Sequence, residues 1–482
     1  SSATSLGALV RLGSTNPLQQ NAHMATEKLN GKAGITEATV TKAWSFWEKV
    51  NIMCFLCLCC VLCGVNSQLL PSSFRGLETS LHTSLETLTM QSTCQGLAQV
   101  LSCPFWGSLA DHGVSRRQMI AFGCLMWGIV TALLGITDDL KMMTVLRLLN
   151  GAALGMVMPI VQSMIADIAP PELRGRLFGI ALGAQNIGVT FASQAATAVS
   201  SEIIWGFYGW RISFGVVGLI SVAASALMAS LMLDVPRPMR TSNVDVVAEL
   251  ALLRDYMNIP SFRVIFIQGI FGMFPWSVFP FLIMYFQYIG FSDKMAGSIY
   301  MVFTLTNGIG QVLGGYIGDA MSALSPDHGR IATAQMSVAL GAPSIFILTG
   351  VIGKDTAHIV WYCLLLANLG LGSSWCGSGC IGPILSEIVS QKHMARVYAW
   401  SFTLQSFCGM VFAPTAVAFM ASYFFDYKSG SADVSTMSRE RRETNAAALG
   451  QSIMYLSLVP WALCFLCYGL LHRVYPRDKK SA

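Results

Sequence analysis

Aspartates at two matching places in the chain could form contacts that depend on conformation. Asp111 lies four residues after Gly107, and 208 residues later Asp319 lies four residues after Gly315. Each aspartate follows an apolar run, so each carboxylate is expected near a helix end. There it can meet the positive end of a neighbouring helix dipole or a basic side chain.

A second acid-to-base spacing is also repeated. Asp167 precedes Arg176 by nine residues, and 220 residues later Glu387 precedes Arg396 by the same nine. Each pair brackets a turn between two apolar runs, and Arg174 lies in the turn that Asp167 and Arg176 bracket. Matching spacings indicate an internal repeat, and repeated halves that flank a central site are the architecture of alternating-access carriers.

Arg147 is the strong base that lies inside an apolar stretch. A lone charge buried in a membrane is costly, so such residues commonly serve function. The alternative is that Arg147, about 9 Å from Lys141 along a helix, extends to the membrane interface. With Arg147 as the deep charge, an anionic substrate is a secondary hypothesis.

Uncharged polar side chains and two tryptophans are spread through the other apolar runs. As a set they predict a polar, uncharged lining around a small organic molecule. The alternative for any one of them is a hydrogen bond between helices. The candidates for a substrate or coupling role, besides Arg147, are Asn66, Gln68, Gln95, Gln162, Gln185, Asn186, Gln268, Trp276, Asn307, Gln311, Asn368, Trp375 and Gln405.

Several kinds of chemistry have no supporting pattern. No Asp or Glu is predicted at mid-depth in an apolar run, so facilitated diffusion or exchange is as well supported as proton symport. We find no P-loop, zinc pattern or nucleophile triad, and predict no enzyme activity, metal, cofactor or nucleic-acid partner. Cys54 and Cys57 could form a redox or metal pair, but no histidine lies nearby to complete a site. We interpret them as thiols packed in a membrane helix.

The composition indicates a protein dissolved in lipid. Of 482 residues, 54% are hydrophobic and 11% are charged, against about 25% charged in soluble proteins. We therefore predict an all-α membrane protein with twelve transmembrane helices in two pseudo-symmetric six-helix bundles. The apolar runs begin near Trp47, Met90, Gln118, Lys141, Arg176, Trp210, Phe262, Lys294, Ile331, His358, Arg396 and Gly450.

The polar stretches between these runs define the expected domain boundaries. An amphipathic piece from Val244 to Tyr256 lies between the bundles and is expected on the membrane surface. The N-terminal segment has no apolar core, so it is not a secretory signal; a processed organelle-targeting segment and a cytosolic tail both fit it. The expected parts are a polar, flexible segment at 1–43, a bundle at 44–233, a cytoplasmic linker at 234–261, a bundle at 262–476 and a tail at 477–482.

Basic residues favour one side of the predicted topology. Outer loops hold mostly single bases such as Arg75, except the last one, where Lys428, Arg439, Arg441 and Arg442 lie beside acidic residues. By the positive-inside rule both termini are cytoplasmic, or on the equivalent face of an organelle membrane. The inner side receives Arg116, Arg117, Arg174, Arg176, Arg330, Arg396 and the bases of the linker and tail.

These motifs resemble the major facilitator superfamily over roughly residues 44–476. The segment from Gly107 to Arg117 resembles its loop motif after helix two, and Leu146 to Gly155 resembles its helix-four motif. Similarity to spinster-type lipid carriers is more distant. Four stretches also resemble a group of plant and algal members with largely unassigned substrates: residues 70–82, 150–167, 174–179 and 314–331.

The resemblance implies a latch at the cytoplasmic helix ends. Asp111 would meet the N-terminus of the eleventh helix, and Arg116 or Arg117 with Asp167 would complete a charge relay. The superfamily usually has bases where this chain has His112 and Ser115, so either Arg116 takes over the relay or the latch is weakened. The latch residues are Gly107, Asp111, Arg116, Arg117, Asp167, Arg174 and Arg176, mirrored by Gly315, Asp319, Arg330, Glu387 and Arg396.

The resemblance implies that Arg147 acts in proton handling or in binding a charged substrate. It also implies that the protein is a secondary active or facilitative transporter of a small organic solute. Its expected partners are membrane lipid and that solute. The alternative is a carrier-fold sensor or a structural subunit of a larger membrane complex, which the altered motif after Asp111 keeps open. A spinster-like lipid transporter is a second alternative, against which the Gln and Asn candidates argue.

Overall fold

The computed structural model describes residues 44–111, 114–169, 171–235, 246–390, 394–428 and 436–481. These residues are almost all helical, and the strands among them form one short hairpin, β1 (Ile203–Ile204) with β2 (Phe207–Tyr208). The predicted N-terminal segment at 1–43 lies outside the described residues. Helices dominate because a chain in lipid must satisfy its backbone polar groups internally.

The first group of helices, the N-terminal set, lies between residues 46 and 231. Pro71 lies in the last turn of its first helix, where a proline removes a backbone donor, and a short second helix follows. The set comprises α1 (Phe46–Ser72), α2 (Phe74–Ser80), α3 (Leu85–Asp111), α4 (Arg116–Ile136), α5 (Leu140–Leu154), α6 (Val157–Ile168), α7 (Pro171–Val199) and α8 (Gly209–Leu231).

The second group, the C-terminal set, lies between residues 260 and 481. The predicted amphipathic piece forms α9 (Val246–Tyr256) between the sets. Short tighter or wider helical turns occur at Phe279–Phe281, Ile347–Val351, Thr356–His358 and Gly377–Ile381. The set comprises α10 (Pro260–Val278), α11 (Leu282–Ile289), α12 (Asp293–Leu324), α13 (Gly329–Phe346), α14 (Ile359–Ser373), α15 (Gly382–Ile388), α16 (Met394–Phe424) and α17 (Arg439–Ser481).

Nine helical segments among the described residues are long and apolar enough to cross a membrane. Three further helices, α3, α7 and α12, have 27, 29 and 32 residues, so they are long enough to span, but they are not among those nine. The predicted all-α membrane fold is confirmed, and the count of twelve spanning helices stays a prediction.

The last helix begins earlier than its apolar run. The sequence predicts a start near Gly450, but α17 begins at Arg439. Arg439, Arg441 and Arg442, which were assigned to the last outer loop, therefore belong to this helix. Local polar contacts explain the extension. Ser438 Oγ accepts a hydrogen bond from the Arg441 amide at 3.3 Å, as an N-cap does, and Arg439 pairs with Glu443 one turn on at 2.7 Å.

The helices define two ends of the bundle. Asn51 near the start of α1 donates to the Leu231 carbonyl at the end of α8, and the Ser261 amide at the start of α10 donates to Asp478 near the end of α17. We call this end the terminal face and the opposite end the distal face. The ends of α2 and α11 lie at the distal face.

Two helix pairs join the sets: α3 packs against α16, and α7 packs against α12. Hydroxyl hydrogen bonds cross between the sets in the distal part of both pairs, from Thr93 to Thr415 at 2.9 Å and from Thr190 to Thr304 at 2.8 Å. Helices that face another helix set need less apolar surface than helices that face lipid. Three of the four interface helices, α3, α7 and α12, are the long helices that are not among the nine apolar segments.

Within the N-terminal set, α1 and α7 cross at two glycines. A Cβ at Gly64 would overlap the backbone of Gln185, and a Cβ at Gly188 would overlap the backbone of Val61. Small residues allow such close approach of membrane helices. The crossing holds α7 in place against its own set while its other side faces α12.

We expect Gly188→Ala to destabilise the protein by about 1–3 kcal/mol, because the added methyl must push α1 and α7 apart. Gly183→Ala on the same helix is the matched control, since a Cβ there meets no described atom within 4 Å. The control should be neutral or slightly stabilising, as alanine favours a helix over glycine. Thermal unfolding in detergent, followed by tryptophan fluorescence, checks both variants. Equal melting temperatures for the two would contradict the tight crossing.

Candidate functional site

Arg116 and Asp167 form an ion pair at the terminal face. Arg116 is buried, and its Nη1 lies 2.7 Å from Asp167 Oδ2. The same guanidinium donates to Ser163 Oγ at 3.2 Å and to the Val235 carbonyl at 2.7 Å. These contacts tie α4, α6 and the segment after α8 together, and they unite two of the residues predicted for the latch.

In the C-terminal set the predicted mirror of this pair is divided into two contacts. Arg330 Nη2 lies 3.0 Å from Asp319 Oδ1. Glu387 instead accepts hydrogen bonds from Tyr475 and from Lys479 Nζ, the latter at 2.9 Å. Arg330 and Asp319 are therefore brought together, and Glu387 is tied to the last helix.

For the other predicted latch residues the structure shows contacts of some side chains and does not describe others. The Arg117 amide donates to Asp234 Oδ1 at 3.3 Å, and its guanidinium donates to the Met232 carbonyl. A Cβ at Gly107 would meet no described atom within 4 Å, and a Cβ at Gly315 would lie 4.0 Å from Ser378. The latch itself stays a prediction. The side chains of Asp111, Arg174, Arg176 and Arg396 lie outside the described part of the chain.

Arg147 is fully buried inside the N-terminal set, with 1% of its surface exposed. It therefore does not extend to the membrane interface. Its Nη1 donates to Gln95 Oε1 at 3.0 Å, and its guanidinium lies over the Phe214 ring, 5.2 Å from the centroid. Among the residues that the structure describes, its Nε and Nη2 have no hydrogen-bond partner and its guanidinium has no ion-pair partner. A buried guanidinium with unused donors has the chemistry to bind an anionic group.

A second polar group lies in the same set. Asn66 Nδ2 donates to Thr131 Oγ1 at 2.8 Å, and Asn150 Nδ2 donates to the same oxygen at 3.0 Å. These bonds join α1, α4 and α5. Nearby on α1, Gln68 is buried with its Nε2 unpartnered, and Gln162 on α6 is half-buried. Asn66 thus makes a helix-to-helix contact, as its alternative interpretation predicted.

The polar candidates of the C-terminal set mostly contact one another or a neighbouring helix. Gln268 Nε2 donates to Cys464 Sγ at 2.9 Å, and Gln311 Nε2 donates to Asn307 Oδ1 at 3.1 Å. Asn368 is exposed and donates to Ser344 Oγ at 2.7 Å. Asn368 therefore joins α13 and α14, and its place in a solute lining stays a prediction.

The two candidate tryptophans differ in environment. Trp276 is half-buried and stacks on Phe303 with 6.3 Å between ring centroids. Trp375 is buried, and its Nε1 has no hydrogen-bond partner. An unpaired indole N–H in the interior can donate to a bound solute, which leaves Trp375 as the stronger candidate of the two.

A buried polar cluster at the distal face escaped the sequence analysis. Arg75 and Glu78 on α2 form an ion pair and are 2% and 0% exposed. Arg75 Nη1 also donates to Tyr288 Oη at 2.9 Å, and Tyr427 Oη donates to Glu78 Oε1 at 3.1 Å. The two phenol oxygens lie 2.7 Å apart. Burial raises the pKa of Tyr427 well above its ordinary value, so the phenol remains a donor. We call these four residues the distal cluster.

One local signal could have revealed half of the distal cluster. Arg75 and Glu78 are three residues apart, a spacing that brings two side chains together on a helix. The sequence analysis counted Arg75 as a single base of an outer loop. Tyr288 and Tyr427 lie 210 and 349 residues from Glu78, so no local pattern connects them to it.

Comparison with known proteins extends these observations. The sequence profile of the Major Facilitator Superfamily matches residues 56–414. The benzoate transport protein of Acinetobacter baylyi is 25% identical over 329 residues, which cover 61% of this chain and 65% of that protein. The multidrug resistance protein 3 of Bacillus subtilis is 26% identical over 109 residues, 23% of this chain and 21% of that protein. The chain thus spans less than two thirds of the length of these relatives.

Solved structures share the fold over nearly the whole chain. A bacterial homolog of the human lysosomal transporter Spinster, in an inward-facing conformation, has a TM-score of 0.74 at 16% identity, covering 90% of this chain and 99% of that one. A D-xylose-proton symporter has a TM-score of 0.62 at 16% identity, covering 86% and 97%. Since the profile matches most of the sequence, the chain belongs to the Major Facilitator Superfamily.

Proposed function

We propose that the protein is a secondary transporter that moves a small organic solute by alternating access. The observation that carries the proposal is the contact between the two helix sets through α3–α16 and α7–α12. Two pairs of packed helices on either side of a central region can hinge, so that one face opens as the other closes. The family supports the same function.

We further propose that the two sets are the two moving bundles, at 44–233 and 262–476, and that the terminal face is cytoplasmic or its organelle equivalent. The abundance of bases on that side supports the orientation. In this arrangement Arg116 with Asp167 and Arg330 with Asp319 brace the cytoplasmic ends of the two bundles separately. The linker with α9 then allows the bundles to move relative to each other.

The solute is proposed to carry a negative charge, bound at Arg147. The unpartnered Nε and Nη2 atoms of this buried side chain support the proposal. A guanidinium can donate two parallel hydrogen bonds to a carboxylate, and such charge-assisted bonds are strong. The relative from Acinetobacter baylyi is named for benzoate, an organic carboxylate, which agrees with this solute class.

Uptake by purified protein in liposomes tests transport directly. Liposomes are given a fractionated metabolite extract with and without an imposed proton gradient, and retained compounds are identified by mass spectrometry. Accumulation above empty liposomes, with anionic compounds enriched, would support the proposal. If demonstrably folded protein accumulates nothing, a sensor or a structural subunit of a membrane complex becomes the better interpretation. Movement of labelled lipid instead would favour a spinster-like carrier.

We expect Arg147→Gln to weaken uptake of an anionic solute by about 10- to 100-fold, since two or more hydrogen bonds to an ionised group are lost. The melting temperature should stay equal or rise, because an unpaired buried charge is removed. Arg211→Gln is the matched control: Arg211 pairs with exposed Asp138 at the distal face and should leave uptake unchanged. Normal uptake by Arg147→Gln, or its unfolding, would argue against an anion site.

Reversal of the charge at Asp111 tests the proposed latch. Asp111→Lys should reduce flux by about 10-fold or more, a typical size for coupling between conformational states, while membrane insertion stays intact. The matched control is Asp255→Lys, because Asp255 on α9 is largely exposed. Initial uptake rates, normalised to inserted protein, measure both variants. Wild-type flux in the Asp111 variant would exclude a role for this carboxylate in the latch.

A further inference from the structure

The distal cluster divides its charged and uncharged parts between the two helix sets. Arg75 and Glu78 both lie on α2 of the N-terminal set, whereas Tyr288 lies on α11 and Tyr427 in the segment after α16. The ion pair is therefore internal to one set. The hydrogen bonds between this pair and the two phenols cross between the sets: Arg75 donates to Tyr288, and both phenols donate to Glu78.

We propose that the docking of Tyr288 and Tyr427 on the Arg75–Glu78 ion pair is the gate that closes the distal face. The inference rests on the proposed alternating-access function. It assigns to these four residues a conformational role that neither the motifs nor the relatives indicate. When the sets separate at the distal face, the phenols leave and water takes their place on the ion pair.

The bonds of the distal cluster are the strongest of the hydrogen bonds that cross between the sets at this end. Bonds to an ionised group are roughly twice as strong as bonds between neutral groups. The other crossing bonds, such as Thr190 to Thr304 and Ser298 to Gln194, join neutral groups. Buried charges must keep their hydrogen bonds. In the closed state the phenols make these hydrogen bonds, and in the open state water makes them. An intermediate in which the phenols have left and water has not yet entered is therefore unfavourable.

The division of charges also makes the gate reversible. An ion pair split between two sets would leave two unpaired charges at the moment of opening, which is strongly unfavourable. Here Arg75 keeps Glu78 in both states, and opening breaks the bonds to Tyr288 and Tyr427 while the ion pair stays intact. The free energy of a few hydrogen bonds suits a gate, because neither of two interconverting states can be much more stable than the other.

Removal of the two phenol hydroxyls tests the gate. The double variant Tyr288→Phe, Tyr427→Phe keeps the rings but loses the bonds to the ion pair, and should shift the ratio of open to closed distal face by about 10- to 100-fold. The matched control is Tyr285→Phe on the same helix. Tyr285 is also buried, but its hydroxyl donates to the Leu348 carbonyl within the C-terminal set, at 3.2 Å.

The opening is measured by energy transfer between dyes on non-canonical residues at Trp205 and Thr356, which are exposed in distal loops of the two sets. In nanodiscs without solute, the double variant should show a larger low-transfer population, and Tyr285→Phe should match the wild type. Glu78→Gln, which removes the charge that the phenols contact, should shift the population in the same direction.

The outcomes separate the gate from the transport proposal. An unchanged low-transfer population in the folded double variant, or an equal shift in Tyr285→Phe, would overturn the gate even if the protein accumulates solute. A shift in the double variant alone establishes the gate even if the solute tested is the wrong one, because no solute is present. The apparent affinity for a transported solute added at the distal side should also rise by up to the same factor, since more of the protein is open there.

Discussion

Ionised side chains that leave water must recover their hydration from opposite charges or hydrogen bonds, and this requirement organises the interior of the protein. Arg116 is provided with Asp167, Ser163 and a carbonyl, and Arg75 is provided with Glu78 and a phenol. Arg116 and Arg75 are thus each paired with a carboxylate and a further hydrogen-bond partner, as expected for a charge that stabilises the fold. Arg147 has one amide oxygen and an aromatic face. The difference in partners, more than burial alone, distinguishes a charge that holds the fold together from one that can bind a ligand.

The same requirement explains the character of the interface helices. A helix that faces lipid needs an apolar surface, while a helix that faces another helix set can carry hydroxyls and glycines. Thr93 on α3, Thr190 on α7 and Thr304 on α12 use this freedom to bond across the sets. Such neutral bonds can break and re-form at low cost. The contact between the sets is therefore specific, because its hydrogen bonds need defined partners, and the sets can still move relative to each other, because these bonds are weak.

How far the sequence predicts the structure depends on how local each signal is. The helices were accessible because apolar runs are read along the chain. The resemblance to the superfamily offered Arg116 or Arg117 as the partner of Asp167, and the fold selects Arg116. The early start of α17 was missed because capping and ion pairs extend a helix beyond its apolar part. The distal cluster was missed because its tyrosines are brought to Glu78 only by the tertiary fold. The contact of Asn368 with α13 was not predicted, because periodicity does not tell which neighbour a polar face meets.

The two ends of the molecule use their charges differently, and the difference bears on the proposed cycle. The terminal-face pairs described here, Arg116 with Asp167 and Arg330 with Asp319, each join helices of one set. The distal cluster joins the two sets. In an alternating-access cycle this is the pattern of a state that is closed at the distal face. The opposite state then needs a contact across the sets at the terminal face. The latch proposed at Asp111 would supply it, since α3 ends at Asp111 and packs against α16 of the other set, and a carboxylate at a helix N-terminus is favoured by the helix dipole.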